Sequence, residues 1–146
     1  MRTVPPSVHG PWIDRSGARD DTTRIVSEYD VRTPSIDTLS RALSGGNQQK
    51  LIVGREMSGD PVLLIASHPT RGVDVGAQAA IWDHIKTARR AGLAVLLISA
   101  DLDELIGLSD RIEVILRGAI VGEFDPRRVT PQDLGAAMTG GGEEPA

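Results

Sequence analysis

The sequence predicts an α/β fold with parallel strands, and three observations carry it. Val62 to Ala66 and Leu93 to Ile98 are short continuous apolar runs, the pattern of strands covered on both faces. Between them, about Val75 to Ala91 is amphipathic and long enough to cross from one parallel strand to the next. Downstream, Ile112 to Leu116 and Ala119 to Phe124 are separated only by Arg117-Gly118, which joins them as an antiparallel hairpin ahead of a final helix.

Composition narrows the function classes. With 146 residues, 40% of them hydrophobic, the chain is long enough for one domain of ordinary size. There is no Cys, so disulfides, thiolate metal sites and Cys nucleophiles are excluded. The longest apolar run, Ala91 to Ile98, is far below the roughly 18 residues of a membrane span. No charged segment followed by an apolar one lies near Met1, so no secretory signal is expected. A net charge of −4 argues against a nucleic-acid binder, and two Trp, one Tyr and one Phe are too few for a base-stacking platform. Lysine is scarce: only Lys50 and Lys86 are present.

Along the chain, Met1 to Asp14 contain Pro5, Pro6, Gly10 and Pro11 without periodicity and read as a loose lead-in. Thr22 to Tyr29 can be helical, with Ile25, Val26 and Tyr29 on one face. After Pro34, Leu43-Ser44-Gly45-Gly46 turns into a helix running to about Met57. The Ser44 hydroxyl is expected to accept an orphan backbone N–H at its start. Ser58-Gly59-Asp60-Pro61 is the stop, with Gly59 expected in a left-handed conformation. The crossover helix carries a stripe of Ala77, Ile81, Ile85 and Ala88 and ends at Gly92. Asp101 to Leu108 reads as a short helix. Its acidic cluster, Asp101, Asp103 and Glu104, reads as a solvated first turn favoured by the helix dipole. Thr130-Pro131-Gln132-Asp133 starts the last helix with a Thr cap, Pro at the first position and Asp at the third. That helix ends near Gly140, and residues 141–146 form a tail.

The chemistry concentrates at Leu43-Ser44-Gly45-Gly46-Asn47-Gln48-Gln49-Lys50. A serine, two glycines and a helix N-terminus direct backbone N–H groups outward, and the dipole adds positive potential, so the end can hold an anion. The glycines allow a phosphate close to the backbone. These eight residues resemble the signature motif of ATP-binding cassette (ABC) ATPases. Further segments follow in that family's order. Val62 to Pro69 stands in the place of the Walker B strand, and Pro69 to Ala77 resembles the D-loop region of tandem importers for sugars and nucleosides. Ala94 to Glu104 sits where the switch strand and H-loop belong. Ser109 to Ile112 and Gly122 to Phe124 are similar to the same branch. The resemblance covers about Ile25 to Gly140.

The departures matter as much as the matches. In the family the Walker B strand ends in Asp-Glu, where this chain has Ser67 and His68. A Ser hydroxyl is a weak partner for a hard cation. Imidazole titrates near neutrality and can act as a base, but with its metal-holding neighbour gone His68 reads as a residue of an inactive site. Ala100 replaces the switch histidine. No G-x-x-x-x-G-K-[ST] phosphate loop is present: Lys50 follows Gln49 and Lys86 lies in a helix.

The resemblance therefore implies a partial P-loop NTPase fold over residues 15–140, the C-terminal part of a second, degenerate cassette lacking the P-loop strand, with residues 1–14 and 141–146 outside it. It implies that Ser44, Gly45, Gly46, Asn47 and Gln48 face the phosphates of an ATP, with its Mg, held by a partner cassette, and that Asp74 lies at the seam between cassettes. No metal site and no catalytic residue of its own are expected. Implied partners are another cassette and membrane permease subunits, not nucleic acid. The implied location is the cytoplasm, peripheral at the inner face of the membrane. Ala66 to Gly72 lean toward the nucleoside branch. The alternative is a truncated, non-catalytic interaction or regulatory fragment, with the edge of the Leu93–Ile98 strand unpaired. A chromosome-maintenance ATPase would need long heptad repeats, which are not present. His9, His84, Trp12 and Trp82 read as ordinary surface or packing residues, and Arg89-Arg90 as cations at a helix C-terminus.

Overall fold

The computed structural model describes residues 8–9, 12–59 and 61–141, with residues 8, 9, 12 and 13 described for their backbone only. The side chains of His9 and Trp12, and the tail from residue 142, thus lie outside the described residues. The chain divides into two compact units, residues 1–96 and 97–146.

In the first unit, β1 (Val8–His9) and β2 (Trp12–Ile13) pair antiparallel. Helix α1 runs over Arg15–Glu28, beginning well before the expected Thr22. Its early turns carry no apolar stripe. They are nucleated instead by Asp14, whose carboxylate accepts from the backbone N–H groups of Ser16 and Gly17, both at 3.0 Å. A short 3-10 turn, Ser40–Ala42, leads to α2 (Gly45–Met57). Helix α2 packs on α1 through Gly54, where a Cβ would sit 2.6 Å from Ile25 and 2.8 Å from the Tyr29 ring. Gly59 is not left-handed, contrary to its expected role: α2 stops at Ser58 (φ −78°, ψ 65°), and the Gly59 N–H turns back to the Met57 carbonyl at 3.2 Å.

Strand β3 (Leu63–Ser67), helix α3 (Val75–Arg90) and strand β4 (Ala94–Ile98) form the crossover. The two strands are parallel neighbours in a two-stranded sheet. Asp74 caps α3, Ala77, Ile81 and Ile85 are buried as the stripe requires, and Gly92 takes φ +104° at the helix end. The expectation of strands buried on both faces is not met: Leu64 and Ala66 are buried, whereas Leu63 and Ile65 are exposed.

The second unit holds α4 (Leu102–Leu108), β5 (Ile112–Leu116), β6 (Ala119–Phe124) and α5 (Pro131–Thr139). The hairpin turn places Arg117 at φ +51° and Gly118 at φ +85°, the paired positive φ of a tight primed turn. A bulge follows Val114. The buried core is Ile112, Val114 and Leu134, flanked by Leu102, Leu105, Ile106, Phe124, Val129 and Ala137. Thr130 and Asp133 form a reciprocal capping box, and Gly140 ends α5 at φ +77°. Glu104, expected in a solvated turn, is instead only 1% exposed, and Asp101 caps α4 by accepting its N–H at 3.0 Å.

Candidate functional site

Ser44 stands at the N-cap position of α2 in extended conformation (φ −62°, ψ 157°), yet its hydroxyl makes no cap bond. The expected capping is replaced by a side-chain contact: Asn47 donates through Nδ2 to Ser44 Oγ at 2.9 Å. Asn47 is itself fixed, its Oδ1 accepting from the Arg32 backbone N–H at 2.8 Å. Gln48 closes the loop from behind, donating through Nε2 to the Leu43 carbonyl at 2.8 Å. Ser44 and Gly45 are exposed and Gly46 is buried. The first N–H groups of α2 are thus left unclaimed by a side-chain cap, at the end of a helix of 13 residues.

The two glycines have different reasons to be glycine. A Cβ on Gly45 would lie 3.2 Å from the Gly72 carbonyl oxygen. A Cβ on Gly46 would lie 2.8 Å from the Ala77 Cβ and 3.4 Å from Asp74 Oδ2. The signature turn therefore sits directly against the start of α3. Asp74 accepts from the Ala77 N–H at 2.9 Å, and this bond chiefly holds its carboxyl below the usual carboxylate range. Within the chain Asp74 is a helix cap that also borders the signature turn.

Lys50, one turn farther on, is buried and donates through Nζ to the Asp30 carbonyl at 3.0 Å and to Asp30 Oδ2 at 3.2 Å. Asp30 is left-handed at φ +47°, so Lys50 ties the turn after α1 to α2. Behind it Tyr29 stacks on His84 of α3, ring centroids 4.2 Å apart at 30°. Burial pushes His84 down and Tyr29 up from their ordinary values. Sequence reading gave His84 no role beyond packing. The signal for the stack was Tyr29 on the apolar face of α1, but its partner comes from another helix. On the flank of α3, the Lys86 ammonium lies 5.5 Å from the centroid of the Trp82 ring.

The Walker B-like side is different in kind. Ser67 is exposed at the end of β3, and His68 follows it at φ +48°, a left-handed conformation that costs a non-glycine residue energy. Pro69 and Thr70 behind it are buried. Neither position 67 nor 68 offers a carboxylate, so this turn does not fit a hard divalent cation. Among the described residues no group of three or more His, Asp or Glu side chains could hold a metal ion, and no helix is long and apolar enough to cross a membrane. Ala100 belongs to the second unit and is exposed.

No family model matches the chain. Individual proteins do. It is 51% identical over 122 residues to the guanosine import ATP-binding protein NupO of Bacillus subtilis, covering 84% of this chain and 24% of that one. It is 44% identical over 137 residues to the nucleoside import ATP-binding protein NupA of Lactococcus lactis, covering 94% and 27%. With the ribose import ATP-binding protein RbsA 1 of Streptomyces avermitilis the identity is 40% over 132 residues, covering 90% and 25%. The chain thus spans about a quarter of the length of the curated relatives it matches. In fold it matches the dimeric ATP-binding cassette MJ0796 bound to ADP and Pi, with a TM-score of 0.68 and 19% identity, covering 83% of this chain and 52% of that one. The ADP conformation of the cassette MJ1267 matches at a TM-score of 0.65 and 21% identity, covering 89% and 50%. By sequence over most of its length the chain is similar to part of these ATP-binding proteins, and by fold it matches about half of an ATP-binding cassette.

Proposed function

We propose that this chain presents its signature turn to an ATP site whose phosphate loop belongs to a partner cassette, and that it does not hydrolyse ATP through its own Walker B side. The observation that carries this reading is the uncapped, exposed start of α2, with Ser44 oriented by Asn47. The helix N–H groups and the Ser44 hydroxyl suit a phosphate. Asn47 and Gln48 hold the turn in shape through bonds within the chain. In phosphoryl transfer to water the protein supplies positioning and charge stabilisation, and this turn has the groups for that task. Bound ATP would bring the phosphate anion to these donors. Mg²⁺ would have to be held by the partner, since Ser67 and His68 do not suit it.

Asp74 would then stand at the seam between cassettes while keeping its capping bond. Residues 15–140 would act as the partial second cassette. The transported class would be nucleosides or sugars, with permease subunits as membrane partners and a cytoplasmic location at the inner membrane face. The names of the guanosine and nucleoside import relatives support the nucleoside branch. Ser44→Arg in a reconstituted pair with an intact cassette should lower steady-state ATPase turnover at least tenfold, without loss of pairing. Unchanged turnover would sink the reading.

A further inference from the structure

The chain has two lysines, Lys50 and Lys86, and they are placed very differently. Lys86 lies on the flank of α3 over the Trp82 ring. Lys50 sits in α2, one turn beyond Gly46, and is only 8% exposed. A buried ammonium has to be hydrogen-bonded. Lys50 Nζ donates twice to one residue, Asp30, at 3.0 Å to its carbonyl and 3.2 Å to Oδ2. Asp30 stands in the left-handed region at φ +47°. Val31 beyond it is buried, and its N–H donates to the Val26 carbonyl at 2.9 Å. The turn after α1 is thus pinned by Lys50 on one residue and by α1 on the next.

The following N–H, that of Arg32, donates to Asn47 Oδ1 at 2.8 Å. A backbone N–H can only donate, so the Asn47 amide has one orientation: Oδ1 toward Arg32 and Nδ2 toward Ser44 Oγ, 2.9 Å away. Nδ2 is also a donor only. Ser44 Oγ therefore accepts at this contact, and its own proton is left for an oxygen that carries none. The bonds have a single polarity, running from the turn after α1 through Asn47 to the exposed serine. Because Lys50 is buried and engaged with Asp30, it holds this arrangement in place without reaching the anion itself.

We propose that Lys50 is a positioning residue for the signature turn: by holding the turn of Asp30, Val31 and Arg32 it fixes the Asn47 amide, which commits the Ser44 hydroxyl as a donor toward a phosphate oxygen. This rests on the reading of Ser44 given above and adds which groups aim its proton. Asn47 then acts through Ser44, and its loss matters only while the hydroxyl is there to be aimed.

The experiment pairs the 146-residue chain with an intact cassette and measures kcat and KM for ATP, alongside amide NMR spectra of the chain alone. Lys50→Met removes the ammonium and keeps most of the stem. It should lower kcat roughly fivefold with KM changed less than about twofold, the mark of an interaction made in the transition state. Lys50→Arg, which keeps a cation with several donors, should recover most of that loss. Lys86→Met removes the same charge elsewhere and should leave both constants unchanged. In the spectra, Lys50→Met should move the Arg32 backbone and Asn47 side-chain amide signals, and Lys86→Met should not. Lys50→Met added to Ser44→Ala should cost less than about twofold beyond Ser44→Ala alone, because the two act through one contact chain. If Lys50→Met does not fold by circular dichroism, Asn47→Ala, at a half-buried position, carries the same kinetic comparisons. Full additivity with Ser44→Ala, or unmoved Arg32 and Asn47 signals, would overturn the proposal. So would parental turnover of Lys50→Met in a pair that still responds to Ser44→Arg. Turnover indifferent to Ser44→Arg would instead sink the signature reading, and this proposal with it.

Discussion

The two sheets of the molecule solve the same problem in different ways. In the β5–β6 hairpin, Ile112 and Val114 point into a closed core with Leu134. The opposite face is wetted at one end by Glu113 and its cross-strand partner Glu123, with Arg111 2.9 Å from the first and 3.9 Å from the second. In β3–β4 both faces are apolar and only one is covered. An antiparallel hairpin can leave a polar face in water, whereas parallel strands written in apolar residues call for a layer on each side. Both sheets nevertheless leave aliphatic side chains bare: the cross-strand pair Ile115 and Ile120 on the hairpin, and Leu63, Ile65 and Leu96 on β3–β4. Each bare aliphatic side chain leaves on the order of 1 kcal/mol of burial unrealised.

This contrast can be broken most directly on β3 itself. Leu64→Ala on the covered face should cost about 2–4 kcal/mol, and Ile65→Ala on the bare face within about 0.5 kcal/mol. Urea unfolding of the first unit, followed by amide exchange, measures both. Equal costs would show that the outward face is covered after all. On the hairpin the same pairing applies: Ile112→Ala should be severe, and Ile115→Ala mild.

Next in size, Gly46→Ala should destabilise the first unit by about 1–3 kcal/mol, because the new methyl meets the Ala77 Cβ at 2.8 Å. A thermal melt unchanged from the parent would mean that α2 and α3 can part freely. The pH response of the first unit should follow His84. Its folded pKa lies below the ordinary 6.5, so the unfolded state binds the extra proton first. Stability is full above pH 6.5 and is lost as pH falls from there through the folded value. His84→Phe should flatten that part of the profile in pH-dependent melts. A small stabilisation, about 1 kcal/mol or less in a thermal melt, is expected at His68→Gly, which removes a left-handed non-glycine residue.

Much of this was legible from local chemistry. The Thr130–Asp133 box, the Arg117-Gly118 turn and the Ala77-Ile81-Ile85 stripe are each written within a few neighbouring residues, and each forms as expected. The start of α1 was not legible by periodicity, because its first turns are polar and depend on the Asp14 cap. Ser44 lay at the right position, but its hydroxyl bond goes to Asn47, a choice among local partners that spacing does not decide. Glu104 shows the other limit: whether a carboxylate near a helix start is wet or buried depends on segments distant in sequence. At the candidate site the motif marked the turn, while the bonds that shape it, from Arg32 and to Leu43, emerged only in three dimensions.

The contact between Gly46 and Ala77 has a mechanical consequence. Where even one methyl group does not fit, two helix ends have no slack between them. A push delivered at Asp74 reaches Ser44 as displacement rather than being absorbed by compression, so the two loops behave as a single stiff jaw.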